Sequence, residues 1–188
     1  EGRCEQRLSS FQYVMLPVSL PSIAAVLRES GFEVTIIDAV AHCLSTAAVA
    51  AAVADYRPSL IIASVSTATL HSDARSVSTV ASAHRCHTTA IGNHVTALPE
   101  RTLRETPFDS VIRGEPEMVA LRLAQCLCDN APLASVKGLS HRDGDAIVHN
   151  DPAPLIEDLD KLPFPARDLV DNSKYTLPVV NAPYTLLV

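Results

Sequence analysis

Small hydroxyl, glycine and histidine residues stand at the ends of several β-branched runs of this sequence. The segment SVSTAT (64–69) offers hydroxyl groups that could hydrogen-bond an amide or a ring nitrogen of a flat ligand. In IGNHVTALPE (91–100), Gly92 marks a point where the backbone comes close to another group, and His94 could be a ligand or a hydrogen-bond donor. Helix capping by Ser or Thr, and a merely solvated histidine, are the structural alternatives.

Two other places carry charge beside such a run. Asp38 ends the run TIID, and the segment VIRGEPE (111–117) sets Gly114 and Glu115 at the start of a helix. Acidic residues stabilise a helix N-terminus, so capping and an ion pair with Arg113 would explain the charges of VIRGEPE without a substrate.

Known catalytic motifs are missing from the sequence. It contains no G-x-G-x-x-G, P-loop, nucleophile elbow or H-E-x-x-H. Cys126 and Cys128 lie two residues apart on an apolar helix, where they point to different faces, and His42 with Cys43 has no third ligand nearby. We therefore predict no catalytic residue and no metal site in this chain.

Alternating helices and strands must position these loops. In PSIAAVLRESGFEVTIIDA (21–39), an apolar stripe predicts a helix, Gly31 its C-cap and Phe32–Ile37 a buried strand. The alternation continues with helices over 45–56, 70–84, a few residues after Pro99, and 117–128, and with strands over 59–65, 88–92 and 110–114. This order predicts an α/β fold with a doubly wound parallel sheet, flavodoxin-like or Rossmann-like.

Such sheets bind ligands at the carboxyl ends of their strands, near the point where strand order reverses. The loops there contain eleven candidate binding residues: Asp38, Ser64, Ser66, Thr67, Thr69, Gly92, Asn93, His94, Thr96, Gly114 and Glu115. The first strand lies either at 11–16 or upstream of Glu1.

The character of the chain changes after Pro132. Asp143-Gly144 predicts a turn between two short strands, a β-hairpin over 133–150. Residues 151–170 are rich in proline and acid, which is typical of an extended linker. We expect an α/β domain at 1–132, the hairpin as an appendage, and a linker at 151–188.

Composition narrows the class of protein. Apolar residues make up 47% and charged residues 19%, as in folded globular proteins, and the net charge of −6 argues against a nucleic-acid partner. No apolar run is long enough for a membrane span, and five irregularly spaced cysteines suggest reduced thiols in a cytoplasmic protein.

Five ordered segments resemble the cobalamin-binding domain of radical S-adenosylmethionine (SAM) enzymes. The helix–strand segment 21–39 is similar to that family's P-P-L-G-L…A-A-x-L-R-x-x-G-x-x-V-x-[IL]-[IL]-D. IGNHVTALPE resembles G-G-x-H-[AP]-T-x-x-P-E, and VIRGEPE resembles [VI]-x-[RG]-G-E-x-E. The hairpin KGLSHRDGDAIVHN and IEDLDKLPFPARDL (156–169) fit the remaining two motifs.

The resemblance implies that this chain holds a base-off cobalamin without a histidine ligand, since the D-x-H-x-x-G motif is missing. The hydroxyls of 64–69 would line the pocket of the dimethylbenzimidazole tail. Gly92, Asn93, His94 and Thr96 would cover its nucleotide side, with Gly114 and Glu115 at the rim.

The parent would be a methyltransferase or cyclase-like enzyme, whose following barrel binds SAM and a 4Fe-4S cluster on C-x-x-x-C-x-x-C. This chain has no such triplet, so we expect it to be a fragment that is not catalytic alone. Asn93 replaces the motif's second glycine, and Ser19 replaces the glycine of P-P-L-G-L. These departures keep open a flavodoxin-like binding or interaction domain that has lost cobalamin.

Overall fold

A five-stranded sheet lies at the centre of the computed structural model, which describes residues 14–82 and 86–176. The strands follow one another across the sheet in chain order: β1 (Leu60–Ser64), β2 (His87–Ile91), β3 (Ser110–Ile112), β4 (Leu139–Asp143) and β5 (Ala146–His149). The pairs β1–β2 and β2–β3 are parallel, whereas β3–β4 and β4–β5 are antiparallel. The predicted α/β class is confirmed, with a mixed sheet whose described strands show no reversal of order.

Helices cover both faces of this sheet. They are α1 (Ser19–Glu29), α2 (Thr46–Tyr56), α3 (Leu70–Ala81), α4 (Asn93–Ala97), α5 (Pro99–Glu105) and α6 (Pro116–Cys128). Ile91 and Ile112 pack with α1 and α6 on one face, while Ala90 and Val111 pack with α3, α4 and α5 on the other. Successive strand residues point to opposite faces, so each strand contributes to both cores.

The sequence predicts a buried strand in the segment that follows α1. Residues 32–37 are extended, and Phe32, Val34 and Ile36 are partly buried against the cores. None of the described strands pairs with this segment, whose alternating burial is strand-like, so the predicted strand stays a prediction. Gly31 does end α1 as predicted, with φ +87°.

The open question of the first strand is settled only in part. Residues 11–13 lie outside the described residues, and 14–16 are not in a strand. Leu16 is nevertheless buried, which places the chain at the core just before α1.

The hairpin β4–β5 continues the sheet beyond β3. Its turn contains Gly144 at φ +57°. The Arg142 guanidinium fastens β4 to the neighbouring layer by donating hydrogen bonds to the carbonyls of Leu103, Thr106 and Phe108. Three carbonyls are thereby paired by one planar cation, whose several N–H groups suit such an arrangement.

The chain then runs through 151–176, which we call the strap. It contains three short 3₁₀ turns, Leu159–Lys161, Arg167–Leu169 and Asn172–Lys174. None of the helices in 14–82 and 86–176 is both long and apolar enough to cross a bilayer.

Candidate functional site

The loops after β1 and β2 touch at the carboxyl edge of the sheet. Ser64 and Ile91 are register partners at the ends of these parallel strands, so the residues that follow them are neighbours. Thr67 Oγ1 lies 3.0 Å from His94 Nδ1, within hydrogen-bonding distance. The contact holds the imidazole ring in place, since Thr67 fixes one of its two nitrogens.

Gly92 allows the two loops to come this close. A Cβ atom at this position would lie 2.5 Å from the carbonyl oxygen of Val65, which is a clash with backbone. The φ of Gly92 is +126°, a backbone conformation that residues other than glycine rarely adopt. Both the space and the backbone therefore require glycine, as the sequence predicts.

The second ring nitrogen of His94 has no hydrogen-bond partner among the described residues, although the atom is buried. A buried polar atom without a partner is costly, so a ligand atom that pairs with it would be favoured. His94 is thus held by Thr67 through Nδ1, while its Nε2 has no partner among the described residues.

The loop after β3 joins the same edge. The backbone N–H of Gly114 donates to Thr96 Oγ1 at 3.1 Å, which connects the second loop to the third. Thr67, His94, Thr96 and Gly114 therefore form a continuous line across three strand ends.

Asn93 and Ser19, the two departures from the family motifs, do not need glycine here. Neither residue is among those with positive φ. Asn93 is exposed at the first position of α4, and Ser19 begins α1. The backbone at both positions is one that any L-residue can adopt.

Ser66 and Thr69 are used within their own turn. Thr69 Oγ1 accepts the backbone N–H of Ser66 at 3.3 Å and lies 3.0 Å from Ser66 Oγ. Thr69 is buried, whereas Thr67 is exposed and Ser64 is half-buried at the end of β1. Of these four hydroxyls, Thr67 is the one presented most openly at the edge.

Asp38 and Glu115 bind the strap. The Tyr175 hydroxyl donates to Asp38 Oδ2 at 2.8 Å, and the backbone N–H of Ala41 donates to Oδ1 at 2.9 Å. Glu115 Oε2 accepts the backbone N–H of Ile156 at 2.8 Å. Glu115 thus adjoins the line at Gly114, and both of these predicted residues have protein partners of their own.

Tyr175 and Arg113 were not predicted as important. Tyr175 is 0% exposed although it follows a segment that looks like a linker, and its only sequence signal is an aromatic residue in a chain with few of them. Arg113 donates to the carbonyls of Leu139 and Asn150, whereas the structural alternative for it was an ion pair with a glutamate.

Small side chains, a glycine in close backbone contact and a buried nitrogen without a described partner lie together at this edge. A cobalamin fits this edge, because its ring carries many amide groups that could pair with Thr67, Asn93 or His94. Among the described residues no group of three or more His, Cys, Asp or Glu could hold a metal ion.

An open sheet covered by helices, with loops meeting at its carboxyl edge, defines the α/β ligand-binding domains. The profile of one such family, described as the B12 binding domain, matches residues 7–124. The chain belongs to the B12-binding domain family.

Two relatives with similar sequences and a solved structure with a similar fold are consistent with this family assignment. An uncharacterized methyltransferase, PH0819 of Pyrococcus horikoshii, is 32% identical over 162 residues, which are 85% of this chain and 35% of that protein. An anaerobic magnesium-protoporphyrin IX monomethyl ester cyclase of Synechocystis sp. is 29% identical over 176 residues, covering 85% and 33% respectively. The chain thus spans only 35% and 33% of these two curated relatives.

The cobalamin-dependent S-adenosylmethionine radical enzyme OxsB, solved with aqua-cobalamin and S-adenosylmethionine bound, superposes with a TM-score of 0.72. The match covers 82% of this chain and 22% of OxsB at 20% identity, which shows a shared fold. The chain is a B12-binding domain that resembles those of cobalamin-dependent radical SAM enzymes.

Proposed function

We propose that this chain holds a cobalamin at the carboxyl edge of its sheet, for chemistry that takes place in a larger radical SAM enzyme. The observation that carries the proposal is the buried Nε2 atom of His94, which has no partner among the described residues. It stands in the line of loop contacts that begins at Thr67 and ends at Gly114.

In this proposal, Thr67, Asn93, His94 and Thr96 would hold the cofactor, together with Ser64 at the end of β1. Ser66 and Thr69 support the turn that presents Thr67, and Gly92 gives the backbone its close approach. Bound cobalamin supplies a cobalt centre that can carry a methyl group or an electron. The chain's own residues bind and orient it.

We propose further that the cofactor is bound base-off, without a histidine from this chain on the metal. The D-x-H-x-x-G motif that would carry such a histidine is missing from the sequence. Visible spectra of the bound cofactor distinguish base-on from base-off forms.

The reaction belongs to parts of the protein beyond this domain. The match covers only 35% of the methyltransferase relative and 33% of the cyclase relative, and the chain has no C-x-x-x-C-x-x-C for a 4Fe-4S cluster. We propose that a SAM-binding barrel of the same polypeptide, in the cytoplasm, uses the cofactor for methyl transfer or ring formation.

A binding titration tests the proposal. Hydroxocobalamin is added to the purified chain, excess is removed by desalting, and the retained corrinoid is measured from its visible spectrum. We expect retention by the wild type and about 10-fold weaker binding by His94→Ala, because one buried hydrogen bond and some packing are lost.

The matched control is His149→Ala, which removes an imidazole from the outermost strand, β5, far across the sheet from β1. Its affinity should equal that of the wild type. Absence of any retained corrinoid from the wild-type chain would refute the proposal and leave a cofactor-free interaction domain.

A further inference from the structure

The N-terminal part of the strap contacts the loop after β3, which belongs to the candidate cofactor edge. Glu115 Oε2 accepts the N–H of Ile156, and Glu115 follows Gly114, whose own N–H is bound to Thr96. The line of contacts across the strand ends therefore continues from the third loop directly into the strap.

The other end of the strap reaches the loop after residues 32–37. The Tyr175 hydroxyl donates to Asp38 Oδ2, while Asp38 Oδ1 accepts the N–H of Ala41. One carboxylate thus fixes the turn of its own loop and the end of the strap together. Tyr175 is fully buried, so this end is packed and not merely hydrogen-bonded.

Between these ends the strap is docked against α1. The backbone N–H of Ala166 donates to the carbonyl of Pro21 at 3.0 Å, and Ala166 packs with Ala24 and Ala25 in a small buried cluster. Asp168 accepts two hydrogen bonds from Arg28. A segment joined to the domain at three places along its length is part of the domain's surface and not a free tether.

We propose that the strap is one wall of the cofactor edge, and that Asp38 and Glu115 are positioning residues that hold this wall in place. Cobalamin affinity then depends on a docked strap. The inference rests on the proposed function, and it gives these two acidic residues a role different from direct contact with the cofactor.

The chemistry of the two contacts makes a distinctive prediction. Each carboxylate serves the strap as a hydrogen-bond acceptor, a task that an amide oxygen can also perform. If Glu115 only holds Ile156, Glu115→Gln should keep its function and Glu115→Ala should lose it. If Glu115 instead acts on the cofactor through its charge, both substitutions should be equally harmful.

The experiment uses the full chain and two measurements. Hydroxocobalamin titration gives the dissociation constant, and hydrogen exchange with mass spectrometry follows the amides of 156–176 in the free protein. We expect Tyr175→Phe and Glu115→Ala to weaken binding about 3- to 10-fold, the effect of one hydrogen bond, and to accelerate exchange in the strap. Glu115→Gln should stay within about 2-fold of the wild type.

Phe164→Ala is the matched control, because it alters a strap side chain that is 91% exposed and touches neither end. Its exchange and affinity should be unchanged. Circular dichroism verifies that Tyr175→Phe, which keeps the buried ring, retains the fold.

Three outcomes would overturn the proposal. Faster exchange with unchanged affinity would show that the strap is not part of the cofactor wall. Equal loss in Glu115→Gln and Glu115→Ala would assign Glu115 to the cofactor. Unchanged exchange in Tyr175→Phe and Glu115→Ala would show that these contacts do not hold the strap.

Failure of the wild type to bind hydroxocobalamin would refute the proposed function and, with it, the strap's role in affinity. The exchange measurement is independent of cofactor binding, so it still decides whether Asp38 and Glu115 anchor the strap. The two failures are therefore distinguishable.

Discussion

Gly92 is the residue on which the geometry of the candidate edge depends most directly. It lets the second loop approach Val65 and thereby sets His94 beside Thr67. The adjoining Asn93 is exposed in ordinary backbone, so the single glycine at this turn suffices.

Replacing Gly92 by alanine should destabilise the fold by about 2 kcal/mol or more, because the new Cβ meets a backbone oxygen and φ is unfavourable. Urea unfolding followed by circular dichroism measures the change. Gly31→Ala is the control: its φ is +87°, but no atom lies within 4 Å of the added Cβ, so about 1 kcal/mol is expected. Equal losses in the two variants would show that the contact with Val65 is unimportant.

Among the elements, β2 carries polar groups at the end opposite the candidate edge. His87 Nε2 lies 2.8 Å from Ser110 Oγ on β3. Burial lowers the pKa of His87, the carboxylate of Asp109 raises it in part, and nearby His141 lowers it further. The folded protein therefore favours a neutral His87 at this end of the sheet.

This shift predicts lower stability in mild acid. Above the unfolded-state pKa of about 6.5, His87 is neutral in both states and the contribution is complete. As the pH falls through that value, the unfolded chain takes up a proton that the folded chain resists, so the free energy of unfolding decreases. Urea unfolding at several pH values between 7.5 and 5, at one constant ionic strength, should show this slope.

His87→Gln should flatten the pH dependence, since it removes the titrating group but can still hydrogen-bond Ser110. His42→Gln, at an exposed position, should leave the slope as in the wild type. A slope that persists in His87→Gln would assign the effect to another group.

Elements with regular apolar spacing were predicted from sequence. Leu70, Ala74, Val77 and Ala81 predict α3, and all but Val77 are buried in it. The helix α4 was missed, because five residues contain too few apolar positions to show a period. The segment 32–37 has the alternation of a strand, but pairing depends on a neighbouring strand that alternation alone cannot supply.

The predictions for the candidate site divide in the same way, into local features and contacts between distant residues. Gly92, His94 and Thr96 are local features of one loop, and they meet residues of other loops because parallel strand ends share an edge. The contact of Asp38 with Tyr175 joins residues 137 positions apart, and no local pattern indicates it. Contacts between side chains that are distant in the chain could not be predicted from the sequence.

For the whole molecule, the strap and the sheet should behave as one cooperative unit. Tyr175→Ala should lower the free energy of unfolding by about 3 kcal/mol, because it removes a fully buried aromatic ring and leaves a cavity. Phe164→Ala should change it by less than about 0.5 kcal/mol, since that ring is exposed. Thermal and urea unfolding measure both.

Similar stability in the two variants would mean that residues 151–176 contribute little to the folded unit. If Tyr175→Ala accelerates hydrogen exchange only around position 175 and leaves the global unfolding transition unchanged, the strap and the sheet do not unfold cooperatively.

The burial of Tyr175 has a consequence for how such modules are exchanged between proteins. A gene fusion that transplants this domain by cutting after the hairpin would leave behind the ring that fills the core and the hydroxyl that binds Asp38. Functional recombination, natural or engineered, should therefore favour crossover points after position 175, because the transferred segment then includes Tyr175 and its hydrogen bond to Asp38.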